Sequence, residues 1–500
     1  MSANSNICKQ PVVAIVGHID HGKTTLLDYI RKSHIAERET GGITQRVSAY
    51  EVKHQTKEEE RAITFIDTPG HEAFQKMRER AGVAADIAIL IVAADDGVKP
   101  QTIEAHKAIV AANIPFIVAF TKIDKDTANL ERAKDSVAKE GIYLEGLGGD
   151  IPYAGVSGKT GQGVPELLDL IVLAADLHNI SCDAGKPVEG IILESSRDPR
   201  SGISATIIVK QGTLSPSGFA VSGEAYAPLR AIEDFAGAKA KEIPCGKPAR
   251  IAGFSGEPKV GALFTVVATK KEAEELVKKN KKPPESGGRK TAEETEERVT
   301  LRLILKADTA GSLEALEYEI AKISEERVEL LVVTKSIGTI SESDIKPLVG
   351  FSPAIALGFN VKIEPSAKDL AERQHIAVEM RSIIYELSDW LKLEAKRLKP
   401  ESSAGTVTGE AQIVRHFSTS GAKHVVGGKV TTGLLKMQDR VTIIRRGIEV
   451  GPGKIVNLQM QRANVESVSE GMEFGAQIET KADVVAGDAL VAAHKPVSTR

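Results

Sequence analysis

Gly17-His18-Ile19-Asp20-His21-Gly22-Lys23-Thr24 is the stretch whose reading decides the fold. It satisfies GxxxxGK[ST], follows the apolar run VVAIV and precedes TLLDYI, which begins at Thr25. The glycines let the backbone wind tightly enough for its N–H groups to face phosphate oxygens. Lys23 reaches the terminal phosphates, and the Thr24 hydroxyl is placed to ligate Mg²⁺. A strand, a phosphate loop and a helix in succession open a βαβ unit. Apolar runs of strand length (AITFID, IAILIVAA, PFIVAF, IPYAGVS) alternate with helical stretches over the rest of this region. That alternation predicts a parallel sheet covered on both faces.

Working outward, Asp67-Thr68-Pro69-Gly70 follows AITFI. A carboxylate at that strand end can hold the metal, and the Gly70 N–H can meet the γ-phosphate. Thr121-Lys122-Ile123-Asp124 follows PFIVAF. There the Asp124 carboxylate can accept two hydrogen bonds from guanine N1 and N2 while the Lys122 stem lies along the base, and adenine offers no such donor pair. Ser157-Gly158-Lys159 follows IPYAGV and would supply a backbone N–H to guanine O6. These elements in this order point to GTP or GDP with Mg²⁺. Thr44, in Gly41-Gly42-Ile43-Thr44 between the phosphate loop and Asp67, can complete the Mg²⁺ shell when the γ-phosphate is present, so the segment reads as a switch. His71, directly after Gly70, is the candidate for positioning the attacking water, because phosphoryl transfer asks the protein mainly to position and stabilise charge. Ile19 and Ile43 would flank it as an apolar gate, with Gly42 as part of the moving segment.

Five hundred residues exceed a single core, so several domains are expected. The boundaries read as a phosphate-loop nucleotide domain at 1–180, a β-barrel at 183–268 and a helical, charged linker at 269–298. A small α/β domain at 299–382, a connecting helix at 383–400 and a second β-barrel at 403–500 follow. The linker run KKNKKPPESGGRKTAEETEER cannot bury a core. Lys+Arg 65 against Asp+Glu 68 leaves no basic field over the whole chain, so nucleic-acid contact must come from local patches. Cys8, Cys182 and Cys245 are too far apart in sequence to suggest a disulfide framework or zinc knuckle, which fits a reducing compartment. The opening MSANSNICKQ lacks a signal pattern, and no apolar run approaches the ~20 residues a membrane span needs. A cytoplasmic monomer without membrane contact is the expectation.

GHIDHGKTTLLD, GGITQ, DTPGHEAF and TKID together resemble the translational GTPases. LKADTAGSLEAL, SIGTISESDI and SIIYEL resemble the third domain of bacterial translation initiation factor two and its exit into the connecting helix. The resemblance implies a ribosome-stimulated GTPase that brings formylmethionyl initiator tRNA to the small subunit and promotes joining of the large one. It assigns the last barrel to the tRNA end. That barrel departs from the family pattern: Gly427-Gly428 stands where a glycine and a cysteine are usual, and Gln459-Met460-Gln461-Arg462-Ala463-Asn464 replaces a basic and acidic run. Arg415, Lys423, His424, Lys429 and Arg462 are its candidates for phosphate or sugar contact. An alternative is a ribosome-binding switch or assembly factor without tRNA binding. Thr121 and Gly158 stand where asparagine and alanine are usual.

Overall fold

The computed structural model describes residues 6–32, 44–198, 201–230, 232–281, 299–325, 328–398, 406–420, 422–461, 463–480 and 482–494. Gly42, Ile43, Arg462 and most of the charged linker lie outside the described residues. Two compact units divide the chain, Met1–Leu398 and Lys399–Arg500.

In the first unit, a six-stranded sheet runs in the order 48–55, 60–67, 12–17, 87–93, 116–121, 153–155. Val12–Gly17 and Ile87–Ala93 are buried at every position, which is why they read as unbroken apolar runs. The strands from Glu60–Asp67 onward across this order are parallel, as expected. The edge strand Ser48–Gln55 is not: it pairs antiparallel with Glu60–Asp67, Ser48 opposite Asp67. An antiparallel edge needs only a short connection, and 56–59 supply it.

Beyond it, an antiparallel sheet of eight strands fills 189–267, and the capped helix Lys270–Asn280 follows. A four-stranded parallel sheet in the order 328–337, 299–307, 354–359, 377–381 forms the third part, with helices Ala310–Ala321, Pro365–Arg373 and Ile384–Leu398. These parts keep clusters of their own, and they also share one. Phe74 and Met77 of the nucleotide region share one apolar cluster with Ile192, Leu301, Leu316, Ile384 and Leu387. Cys182 and Cys245 meet as a disulfide, with Cα atoms 6.4 Å apart. This corrects the expectation from their spacing, because the fold brings the strand Ser181–Asp183 and the turn before Pro248–Ala252 together across a sequence separation of 63.

The second unit is a closed antiparallel barrel. Its strands run 406–420, 489–494, 440–445, 448–460, 473–480, 423–436 and return to 406–420. Ile413, Val426, Ile443, Ile455, Phe474, Ile478 and Leu490 fill it.

Candidate nucleotide site

The phosphate loop is built by backbone conformations that side chains resist. A Cβ on Gly17 would come within 2.7 Å of the Ile91 carbonyl, and Gly22 begins the helix Lys23–Arg31 in the left-handed region with no side-chain cap. The first N–H groups of that helix are therefore available to an anion. Lys23 lies buried beneath the loop and donates to the Gly17 and His18 carbonyls at 3.0 and 2.5 Å. Burial pushes its ammonium down to about 8, against the opposing pull of Asp67. The Thr24 and Thr44 hydroxyls stand 3.0 Å apart, so the two metal candidates from the loop and the switch meet in space.

These groups line a cavity of about 500 Å³. Ile19, Asp20, Gly22 to Thr25 and Thr44 form one wall, Thr121, Lys122, Asp124, Gly158 and Lys159 another, and Gly70 and His71 close the end. Thr121 donates its hydroxyl to the His21 carbonyl at 2.5 Å, so the threonine ties the base-side loop to the phosphate loop. Gly158 has its own reason: a Cβ there would sit 2.7 Å from the Leu26 amide nitrogen. Several predicted residues shape the loops rather than the wall. The Thr68 hydroxyl donates to the Ile15 carbonyl, the Ser157 hydroxyl accepts from the Lys159 and Thr160 amides, and Ile123 sits over Gly155. His21 is buried and its Nδ1 accepts from the Ala93 amide.

His71 is only 4% exposed, and Nδ1 accepts the Ala73 amide hydrogen at 3.0 Å. That assigns the proton to Nε2, which has no protein partner. Burial, with smaller contributions from Lys322 and Arg78, pushes the imidazole down to about 4, so it is neutral near pH 7. Its ring lies 3.6 Å from that of Tyr385, at the head of the connecting helix. Ile384 and Tyr385 line the cavity alongside Ile19 and Phe74. The sequence reading did not assign Tyr385 or Ile384 to the site. It also missed Arg78, a buried arginine whose guanidinium donates to the Pro69 and His71 carbonyls and so pins the turn that carries His71. An arginine among the first turns after a glycine-containing loop was the available signal. Gln45 was missed too. Its Nε2 donates to the Ser382 carbonyl at 2.8 Å, and its Oε1 accepts from the Ile384 amide at 3.3 Å.

In the C-terminal barrel, Arg415, Lys423 and Lys429 are exposed along the paired strands Thr406–Ser420 and Lys423–Lys436. His424 is corrected as a surface contact: it is 5% exposed and its Nδ1 lies 3.3 Å from the Thr419 hydroxyl. The strand's alternation turns it inward while Lys423 points out. Gly428 is closely packed, since a Cβ would meet the Gln412 carbonyl at 2.4 Å and the Phe474 ring at 2.8 Å.

Three family models match the chain. Residues 9–176 match the elongation factor Tu GTP binding domain, 187–267 elongation factor G domain 2, and 273–392 translation-initiation factor 2. Translation initiation factor IF-2 of Rubrobacter xylanophilus is 38% identical over 495 residues, covering 96% of this chain and 71% of that protein. The factor of the same name from Aquifex aeolicus is 38% identical over 500 residues, 96% of this chain and 60% of that protein. The chain spans 59% of the Nitratiruptor relative's length and 56% of the Persephonella marina one's. Among solved structures, GDP-bound aIF5B from Aeropyrum pernix aligns over 97% of this chain and 92% of that one, at 27% identity and a TM-score of 0.45. With phosphate, metal and base candidates lining one cavity, and with identity of this extent to curated initiation factors, the chain belongs to the translation initiation factor IF-2 family of translational GTPases.

Proposed function

We propose that this chain hydrolyses GTP on the ribosome during initiation, with His71 orienting the attacking water and the C-terminal barrel engaging initiator tRNA. The observation that carries it is the convergence on one cavity of Lys23, Thr24 and Thr44 at the phosphate end, Asp124 and Gly158 at the base end, and His71 beside Gly70. Hydroxyl and carboxylate oxygens are the hard donors Mg²⁺ prefers. Thr24 and Thr44, with Asp67 at the adjoining strand end, fit that ion, whose charge would offset that of the β- and γ-phosphates. A neutral His71 with its proton on Nε2 can meet water or a γ-phosphate oxygen as a donor, and it gains most as negative charge develops there. The test is GTP turnover with and without ribosomal subunits, alongside binding of formylated, unformylated and deacylated initiator tRNA to the full chain. Ribosome stimulation with preference for formylmethionyl-tRNA supports the whole reading.

A second reading is favoured by the barrel itself. Gly428 has no room for a larger side chain, so the departure at Gly427-Gly428 alters the barrel wall itself, while Gln459, Gln461, Ala463 and Asn464 of the other departing run are exposed. Ribosome-stimulated hydrolysis without tRNA preference would select a ribosome-bound switch or assembly factor.

A further inference from the structure

Gln45 joins two parts of the site that lie far apart in sequence. On one side it follows Thr44, whose hydroxyl is 3.0 Å from that of Thr24. On the other, its carboxamide makes two hydrogen bonds to the backbone at the entry to the connecting helix: Nε2 to the Ser382 carbonyl and Oε1 from the Ile384 amide. Ile384 is the first residue of the helix Ile384–Leu398, so its N–H has no partner within the helix. A side chain from the switch segment supplies the acceptor. The next residue, Tyr385, carries the ring that lies 3.6 Å from His71. One turn of backbone is thus held by the switch and faces the candidate catalytic side chain. Its helix buries Ile384, Leu387 and Leu391 in the shared core, so a shift at its head moves a packed rod rather than a loose end.

We propose that Gln45 is the strut through which the nucleotide state reaches the connecting helix: it ties the metal-side threonine to the turn that places Tyr385 on His71. With a γ-phosphate, Thr44 is drawn to the metal and the carboxamide clamp closes. With GDP, Thr44 loses that anchor and the helix head is released. Gln45 is a positioning residue here, acting through the Ser382–Ile384 backbone. The proposal rests on the reading of the cavity as a GTP site and adds its regulation.

Hydrogen–deuterium exchange of the full chain tests it, comparing GDP with a non-hydrolysable GTP analogue, while a fluorescent guanine nucleotide reports occupancy. In the wild type, amides at the head of the connecting helix exchange about tenfold more slowly with the GTP analogue, the scale of two modest hydrogen bonds. Gln45→Ala collapses that difference to less than about twofold while the phosphate-loop amides keep their response. Gln45→Glu, which keeps the acceptor for Ile384 and loses the donor to Ser382, gives an intermediate value and guards against a folding defect in the alanine variant. An undiminished difference in Gln45→Ala overturns the strut. No difference in a nucleotide-bound wild type overturns it as well, yet leaves the GTP site standing. Failure of the wild type to bind guanine nucleotide sinks the GTP reading and the strut with it.

Discussion

Two strand–turn–helix units in this molecule begin alike and end differently. In the first, Val12–Gly17 runs through glycines to the helix Lys23–Arg31, whose start has no side-chain cap. In the second, Val299–Ala307 turns directly into Ala310–Ala321, where the Thr309 hydroxyl accepts the Ser312 amide. The Gly311 amide is taken as well, by Glu194 from the neighbouring eight-stranded sheet at 3.1 Å. Both units sit in parallel sheets, and both offer a helix dipole. Only the first leaves its donors to a ligand; in the second the protein supplies its own carboxylate. A helix N-terminus is therefore a phosphate site only where loop length and glycine conformation keep side chains away from it.

The sharpest way to break the comparison is at the open end. His71→Ala should bind GTP normally and lose ribosome-stimulated single-turnover hydrolysis by orders of magnitude, since partner-assisted GTPases gain up to ~10⁵-fold. Intrinsic hydrolysis without ribosomes should change far less, and rapid-quench kinetics separates the two. Near wild-type stimulated rates would remove His71 from the chemistry, whereas an equal loss of affinity would make it structural. Asp124→Asn should move preference from GTP towards XTP by ~10²-fold or more, the scale of two charge-assisted hydrogen bonds. Retained GTP preference in competition would count against the base-side assignment. Lys23→Ala should weaken GTP·Mg²⁺ binding by about 10–100-fold while the far-ultraviolet spectrum stays native, because one charged contact to phosphate is lost.

The filled end makes a pH prediction. Burial pushes the Glu194 carboxyl up to about 7, against the smaller opposing effect of its backbone hydrogen bonds from Ser195 and Gly311. A raised folded-state pKa means the native state binds the extra proton. Its contribution is complete below about 4.5 and is lost as the pH rises through about 7. Glu194→Gln keeps the Oε1 acceptor without the charge, so its advantage over wild type should grow across that window to about 3 kcal/mol. Parallel urea titrations at several pH values measure it, and a difference independent of pH would show that Glu194 does not titrate there. The smallest effect belongs to Gly311→Ala. A Cβ would meet Met77 Cε at 2.3 Å and Glu194 Oε2 at 2.7 Å, so a loss of about 1–3 kcal/mol is expected despite alanine's better helix propensity. A variant that gains stability would show the neighbouring Met77 yields freely.

How much of this was legible in sequence varies with the distance over which the signal acts. Gly17 to Thr24, Asp67 to Gly70 and Thr121 to Asp124 were readable because each is a local backbone conformation attached to a strand end, specified by residues adjacent in the chain. The antiparallel strand Ser48–Gln55 was not, since its pattern is half exposed and its partner decides its direction. One core is shared among regions expected to be separate because Phe74 and Met77, unremarkable in sequence, fall against faces contributed by the eight-stranded sheet and the third part, while the nucleotide region and the third part also keep clusters of their own. His424 read as a basic surface residue, and strand alternation turned it inward.

By itself, the sequence pointed to the nucleotide chemistry: a phosphate loop, a candidate metal-side threonine and a candidate guanine-reading aspartate are each complete within a few residues, so their reading rests on local backbone. Which side chain stands over His71 was decided only by tertiary structure. The bond from Gln45 to Ser382 spans 337 positions, and Tyr385 reaches its neighbour only because the connecting helix packs its apolar face into a core assembled from three parts of the chain. Contacts of that range leave no periodicity or spacing to read, because burial of the helix face sets them and no local conformational preference does.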